Sequence, residues 1–145
     1  MSEVKTNKLT GTTSAGDIDV TSEGGAVTFQ LQQGLAKAWV THQHGDTVDD
    51  SFNHSSITDS GTGDFTCNFS SNMASATYIV PNCGSTYADQ HRGGMSCGMD
   101  MGTGTTDNRA SDHCDVSVMY HASSTANATM GDVDWSMHIF FGDLA

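Results

Sequence analysis

Basic residues are scarce: 5 Lys and Arg stand against 17 Asp and Glu, leaving a formal charge of −12. A surface of that sign repels phosphate backbones and offers no basic stripe, so nucleic acid is not an expected partner. An anionic membrane surface is repelled for the same reason. Leu, Glu, Lys and Arg are thin relative to Gly, Ser and Thr, which argues against a helical domain. Long apolar runs are missing too, and none approaches the ~18 residues that a membrane span needs. Residues 1–8 have no apolar stretch behind them, so no signal peptide is expected. The expectation is a chain made in a cytoplasm and soluble there.

Two further absences bear on chemistry. Cys67, Cys83, Cys97 and Cys114 are widely spaced and form no CxxC pair. In a reducing compartment they read as thiols rather than disulfides. The chain has no GxSxG elbow, no P-loop, no HExxH and no catalytic cysteine signature. Carboxylates abound, so counting alone leaves a glycosidase-like acid pair open, but nothing singles out one pair. A non-enzymatic protein without a cofactor is the expectation.

What the chain does have is glycine, 16 of 145 residues, and short apolar runs broken by Gly, Ser, Asn and Asp. That pattern predicts an all-β fold, an antiparallel β-sandwich or jelly-roll-like domain. Residues 1–25 carry few apolar side chains (Val4, Leu9, Ile18 and Val20) and alone bury too little to order themselves. They read as an extended arm held by a neighbouring subunit, with those four side chains as its contacts. The β-domain is expected over 26–145. Val27, Phe29 and Leu31 alternate with polar residues, and a second strand is expected at 35–40, although 31–38 also reads as a short helical turn. Further strands are expected at 52–57, 64–70, 77–82, 114–121 and 133–141. Residues 59–63 read as a tight hairpin, since glycine supplies the positive φ of such turns. In the last strand Val133, Trp135, Met137 and Ile139 share one face and Asp134, Ser136 and His138 the other. That is the alternation of a half-buried antiparallel strand, apolar side inward. Residues 84–111 form a long excursion, and excursions of that length in a compact domain usually serve function or assembly.

Several clusters invite a ligand reading. Met95, Cys97, Met99 and Met101 recur at period two, so on a strand their soft sulfur atoms share one face, as Cu(I) prefers; a sulfur-rich packing face is the alternative. His42 and His44 form His-x-His and supply two metal ligands if His54 or Asp46 joins them; solvated or interface histidines are the alternative. His91, His113 and Cys114 carry less signal. Asp59, Thr62 and Asp64 offer oxygen ligands for Ca²⁺, against a plain turn. Trp39 and Trp135, the largest apolar groups, suit core or subunit-interface packing, or a stacking platform for a sugar.

The stretch Gly34-Leu35-Ala36-Lys37-Ala38-Trp39-Val40 is followed by Asp50-Ser51-Phe52-Asn53-His54-Ser55-Ser56-Ile57 and Thr58-Asp59-Ser60-Gly61-Thr62-Gly63-Asp64-Phe65-Thr66-Cys67-Asn68-Phe69. With Met73-Ala74-Ser75-Ala76-Thr77-Tyr78 and both termini, it resembles a family of small β-rich virion proteins and tail-fibre domains of aquatic bacteriophages. The resemblance covers about half the chain and departs at His42-Gln43-His44-Gly45-Asp46-Thr47-Val48-Asp49-Asp50, where the family has a basic stretch, and at 84–111. It implies a virion structural protein, synthesised in the host bacterial cytoplasm, that assembles with itself, commonly as a homotrimer, and docks on the major capsid or tail protein. A tail-fibre or spike module that binds a host glycan is the alternative it implies.

Overall fold

The computed structural model describes residues 3–11, 18–21, 24–25, 28–43, 46–81, 85–86, 96–99, 109–121, 128–132 and 134–145, and among these there is no helix. The chain is all-β, as its composition predicts. It falls into two compact units, Met1–Leu35 and Ala36–Ala145.

The first unit contains β1 (Asp19–Thr21) and β2 (Thr28–Gln30), an antiparallel pair with Val20 opposite Phe29. The strand expected at 27–31 therefore pairs with β1, and this unit runs to Leu35 rather than to residue 25. Residues 31–35 are successive turns, with Gln33 N donating to Gln30 O at 3.2 Å and Leu35 N to Gln32 O at 3.2 Å. They are neither a strand nor a sustained helix.

The second unit opens with β3 (Ala38–Gln43), β4 (Val48–Phe52), β5 (His54–Gly61) and β6 (Asp64–Phe69). It continues with β7 (Ser85–Thr86), β8 (Ser96–Met99), β9 (His113–His121), β10 (Ala128–Met130) and β11 (Trp135–Phe140). These make two antiparallel sheets. One has the order β4-β3-β11-β7; the other runs β10-β9-β6-β5, with β8 also paired to β9. The strands expected at 64–70, 114–121 and 133–141 are β6, β9 and β11. Of the stretch 77–82, the described residues 77–81 contribute an isolated bridge, Ile79 to Phe141, and no strand.

The expected strand 52–57 is broken at Asn53, which takes φ 51°. Asparagine tolerates that left-handed backbone, and here its side chain rewards it. Asn53 Nδ2 donates to the carbonyls of Lys37 and Ser71, both at 3.0 Å, and Oδ1 accepts from Ser71 N at 2.7 Å. This corner sends the chain from β4 in one sheet to β5 in the other.

The two sheets enclose one core. Ala38, Val40 and Phe140 come from the first sheet and Ile57, Phe65, Cys67, Phe69, Cys114, Val116 and Val118 from the second. Phe69 and Phe140 meet edge to face across the gap, with ring centroids 5.0 Å apart. Cys67 and Cys114 lie opposite each other in the β6–β9 register and are fully buried.

The hairpin expected at 59–63 joins β5 to β6. At Gly63 the backbone has φ +72°, and an added Cβ would lie 2.7 Å from both Gly131 N and Val118 O. Positive φ and two rigid backbone neighbours act together here. Gly63→Ala is expected to lower the unfolding free energy by about 3 kcal/mol, read by urea denaturation. A loss within ~0.5 kcal/mol would mean that the β6–β9–β10 junction relaxes freely.

Candidate functional site

Strand β11 alternates as the sequence predicts, but its polarity is inverted. Ser136 and His138, 0% and 1% exposed, point inward with Phe140, whereas Trp135, Met137 and Ile139 are exposed. The apolar-inward expectation is thus corrected. Period two separates two faces without saying which is buried. The register with β3 decides: Phe140 pairs with Ala38, His138 with Val40 and Ser136 with His42, so inward residues align with inward residues.

The outer face of this sheet is correspondingly apolar. Phe52, Trp39 and Ile139 occupy matching positions on β4, β3 and β11 and form one cross-strand row. Phe52 is 51% exposed, Trp39 is half-buried, and Met137 and Trp135 continue the surface along β11. Trp135 Nε1 donates to Asp49 Oδ2 at 3.1 Å, and Gln43 Nε2 donates to Asp49 Oδ1 at 2.5 Å. At ~150–250 Å² per large aromatic side chain, this face leaves roughly 400 Å² of apolar side chain in water. That matches the largest patch of a typical monomer, about 300–600 Å², which is often functional. Of the expected assembly residues, Trp39 and Trp135 lie here. Val4 and Leu9 are exposed in the first unit, and Ile18 and Val20 are half-buried there.

Beneath the face lies a histidine cluster. A bulge in the β3–β4 pairing falls between Thr41 and His42. His42 is buried, and its Nε2 lies 3.2 Å from His138 Nε2. The two rings stack at 22°, and Phe65 from the facing sheet meets His42 edge-on at 4.9 Å. His42 Nδ1 is 3.1 Å from Gln43 O. A carbonyl only accepts, so Nδ1 carries the proton and Nε2 presents its lone pair. His138 Nε2–H then donates to it, with Ser136 Oγ also 3.0 Å from that nitrogen. His54, at the start of β5, has a buried Nε2 without a hydrogen-bond partner.

Burial in this apolar setting disfavours the charged rings. Desolvation lowers the His42 pKa, only partly offset by the Gln43 carbonyl and Asp49. Desolvation and then His42 lower that of His54. For His138, desolvation followed by His42 and His54 pushes it down to about 3. All three are neutral imidazoles at pH 7.

The metal readings fare differently. His42 joins His138, a residue the sequence reading did not pair with it. His44, His91, Met95 and Met101 lie outside the described residues, and Cys97 and Met99 are placed only as backbone on β8. Among the described residues no three His, Cys, Asp or Glu side chains are grouped to hold a metal ion. The Ca²⁺ candidates are engaged locally: Asp59 Oδ1 accepts from Gly61 N at 3.0 Å and Asp64 Oδ1 from Ser117 Oγ at 2.9 Å. His113 Nδ1 contacts Asp112 Oδ1 at 2.8 Å, and Cys114 is in the core.

The sequence reading missed His138, Ser136, Phe52, Met137 and Ile139 as members of these two features. The alternation of β11 was the available signal, read with the wrong side inward. In comparison with known proteins, the chain matches no family model, no curated protein and no solved structure.

Proposed function

We propose that this protein is a non-enzymatic structural component of a bacteriophage virion, decorating or cementing the particle surface as an oligomer. The phage setting rests on the resemblance of residues 34–78. The assembly role is carried by one observation, the exposed row Phe52, Trp39 and Ile139 with Met137 and Trp135 beside it. An apolar patch of this size is costly in water and is relieved by burial against another surface. Exposed Val4 and Leu9 give the amino-terminal segment contacts of its own for docking on the major capsid or tail protein. A homotrimer of such chains also covers strand edges that otherwise pair indiscriminately.

Quantitative mass spectrometry of purified virions tests this reading. A copy number comparable with that of the major capsid protein supports a decoration role, and absence from the particle ends it. Deleting residues 1–25 is expected to leave the second unit folded while abolishing incorporation; unchanged incorporation would remove the docking role from that segment.

A tail-fibre or spike module is the second reading. It is favoured by Trp135, whose indole N–H is fixed by Asp49 beside Gln43, an aromatic surface next to polar groups of the kind that holds a sugar. Binding on a glycan array that is lost in Trp135→Ala would decide for it.

A further inference from the structure

We propose that His42 and His138 form a proton-operated lock at the wall of the core, closed while the rings are neutral and opened by protonation in mild acid. The geometry carries this. His42 on β3 and His138 on β11 are neighbours in one sheet, and Phe65 on β6 of the facing sheet packs against His42, so charging the pair acts where the two sheets meet. The 3.2 Å Nε2–Nε2 approach admits one proton. Because His42 Nδ1–H is directed at Gln43 O, adding a proton to His42 places it on Nε2, facing the N–H of His138. With one added proton His138 can still accept at Nε2 by carrying its own proton on Nδ1, but the charge sits in a buried space; a second proton sets two donors against each other, and the pair must separate or lose its burial.

Among the described residues the charged groups near the pair are few. Asp49 on β4 acts favourably on His42, while its carboxylate oxygens are engaged by Gln43 and Trp135 on the outer face. Among the described residues, His42 and His54 act on His138 with like sign when protonated. Strand β6 presents Phe65 to His42, and Cys114, Val116 and Val118 of β9 lie in the apolar core. Ser136 on β11 is a neutral hydroxyl. The lowered pKa values agree with this geometry: the folded protein holds the rings neutral where the unfolded chain protonates them near 6.5. A lowered histidine pKa contributes stability that is complete above 6.5 and declines as pH falls from there toward the folded value. The window is therefore below 6.5, and for His138 it extends to about 3.

The lock is a property of the second unit and stands whether or not the chain belongs to a virion. Urea unfolding of the full chain at constant ionic strength between pH 5 and 6.5 tests it. Each ring kept neutral raises the unfolding equilibrium constant by up to about tenfold per pH unit. In the His42→Gln/His138→Gln variant, two such contributions disappear, and the pH dependence is expected to flatten by up to about a hundredfold per pH unit relative to the native chain. An identical pH dependence in both proteins would overturn the lock. Should that variant fail to fold, ring Cε1 NMR shifts of the native chain decide. Rings that stay neutral below pH 6 until the folded spectrum is lost support it; rings that titrate near 6.5 with the fold intact refute it.

Discussion

Replacing Phe140 with alanine is expected to remove about 4 kcal/mol of unfolding free energy, close to the upper end for a buried aromatic. The ring is fully buried and stands at the centre of an aromatic cluster, with Phe69 at 5.0 Å and Tyr78 at 6.1 Å, both nearly perpendicular to it. Phe69 and Tyr78 also meet each other, at 5.7 Å. Phe140 lies on β11 and Phe69 on β6, so truncation opens a cavity between the sheets rather than within one. Collapse into that cavity is restricted, because the Phe140 carbonyl accepts from Lys37 N at 2.8 Å and Tyr78 Oη donates to His113 O at 2.7 Å. Domains are commonly stable by only ~5–15 kcal/mol, so the variant should unfold at clearly lower urea concentration with an unchanged slope. A loss below ~1 kcal/mol would show that the core packs around the gap.

The second large effect is expected on association and not on folding. Phe52 and Ile139 flank Trp39 in the exposed row, and replacing both with serine removes apolar surface that the isolated chain already leaves in water. Stability should change by less than ~1 kcal/mol, as is usual for exposed positions. Self-association should weaken about a hundredfold, equivalent to about 2.7 kcal/mol. Sedimentation velocity over a concentration series measures it. A native chain that sediments as a monomer, or a variant that associates as tightly as the native chain, would take the assembly role away from this face.

The sequence reading reached the β-class because strand-forming alternation and turn residues are local. Gly61-Thr62-Gly63 marks a hairpin by itself, since left-handed backbone is needed within that turn. The β9 and β11 segments are similarly evident from their apolar residues. The corner at Asn53 was not, because residues on both sides favour a strand and the cue lies in bonds to Lys37 and Ser71, distant in sequence.

The candidate site was legible only in pieces. His42, Trp39 and Trp135 stand out as residue types, yet their meaning depends on neighbours. Sequence alone determined an acidic, glycine-rich, all-β chain with a hairpin at 59–63 and two faces on its last strand. Only the tertiary structure decided which face is buried. That choice depends on the register of β11 against β3, which brings His42 and His138 together across 96 positions and turns Trp135, Met137 and Ile139 outward. The physical reason is that alternation encodes a difference between faces, whereas burial is assigned by what each face meets.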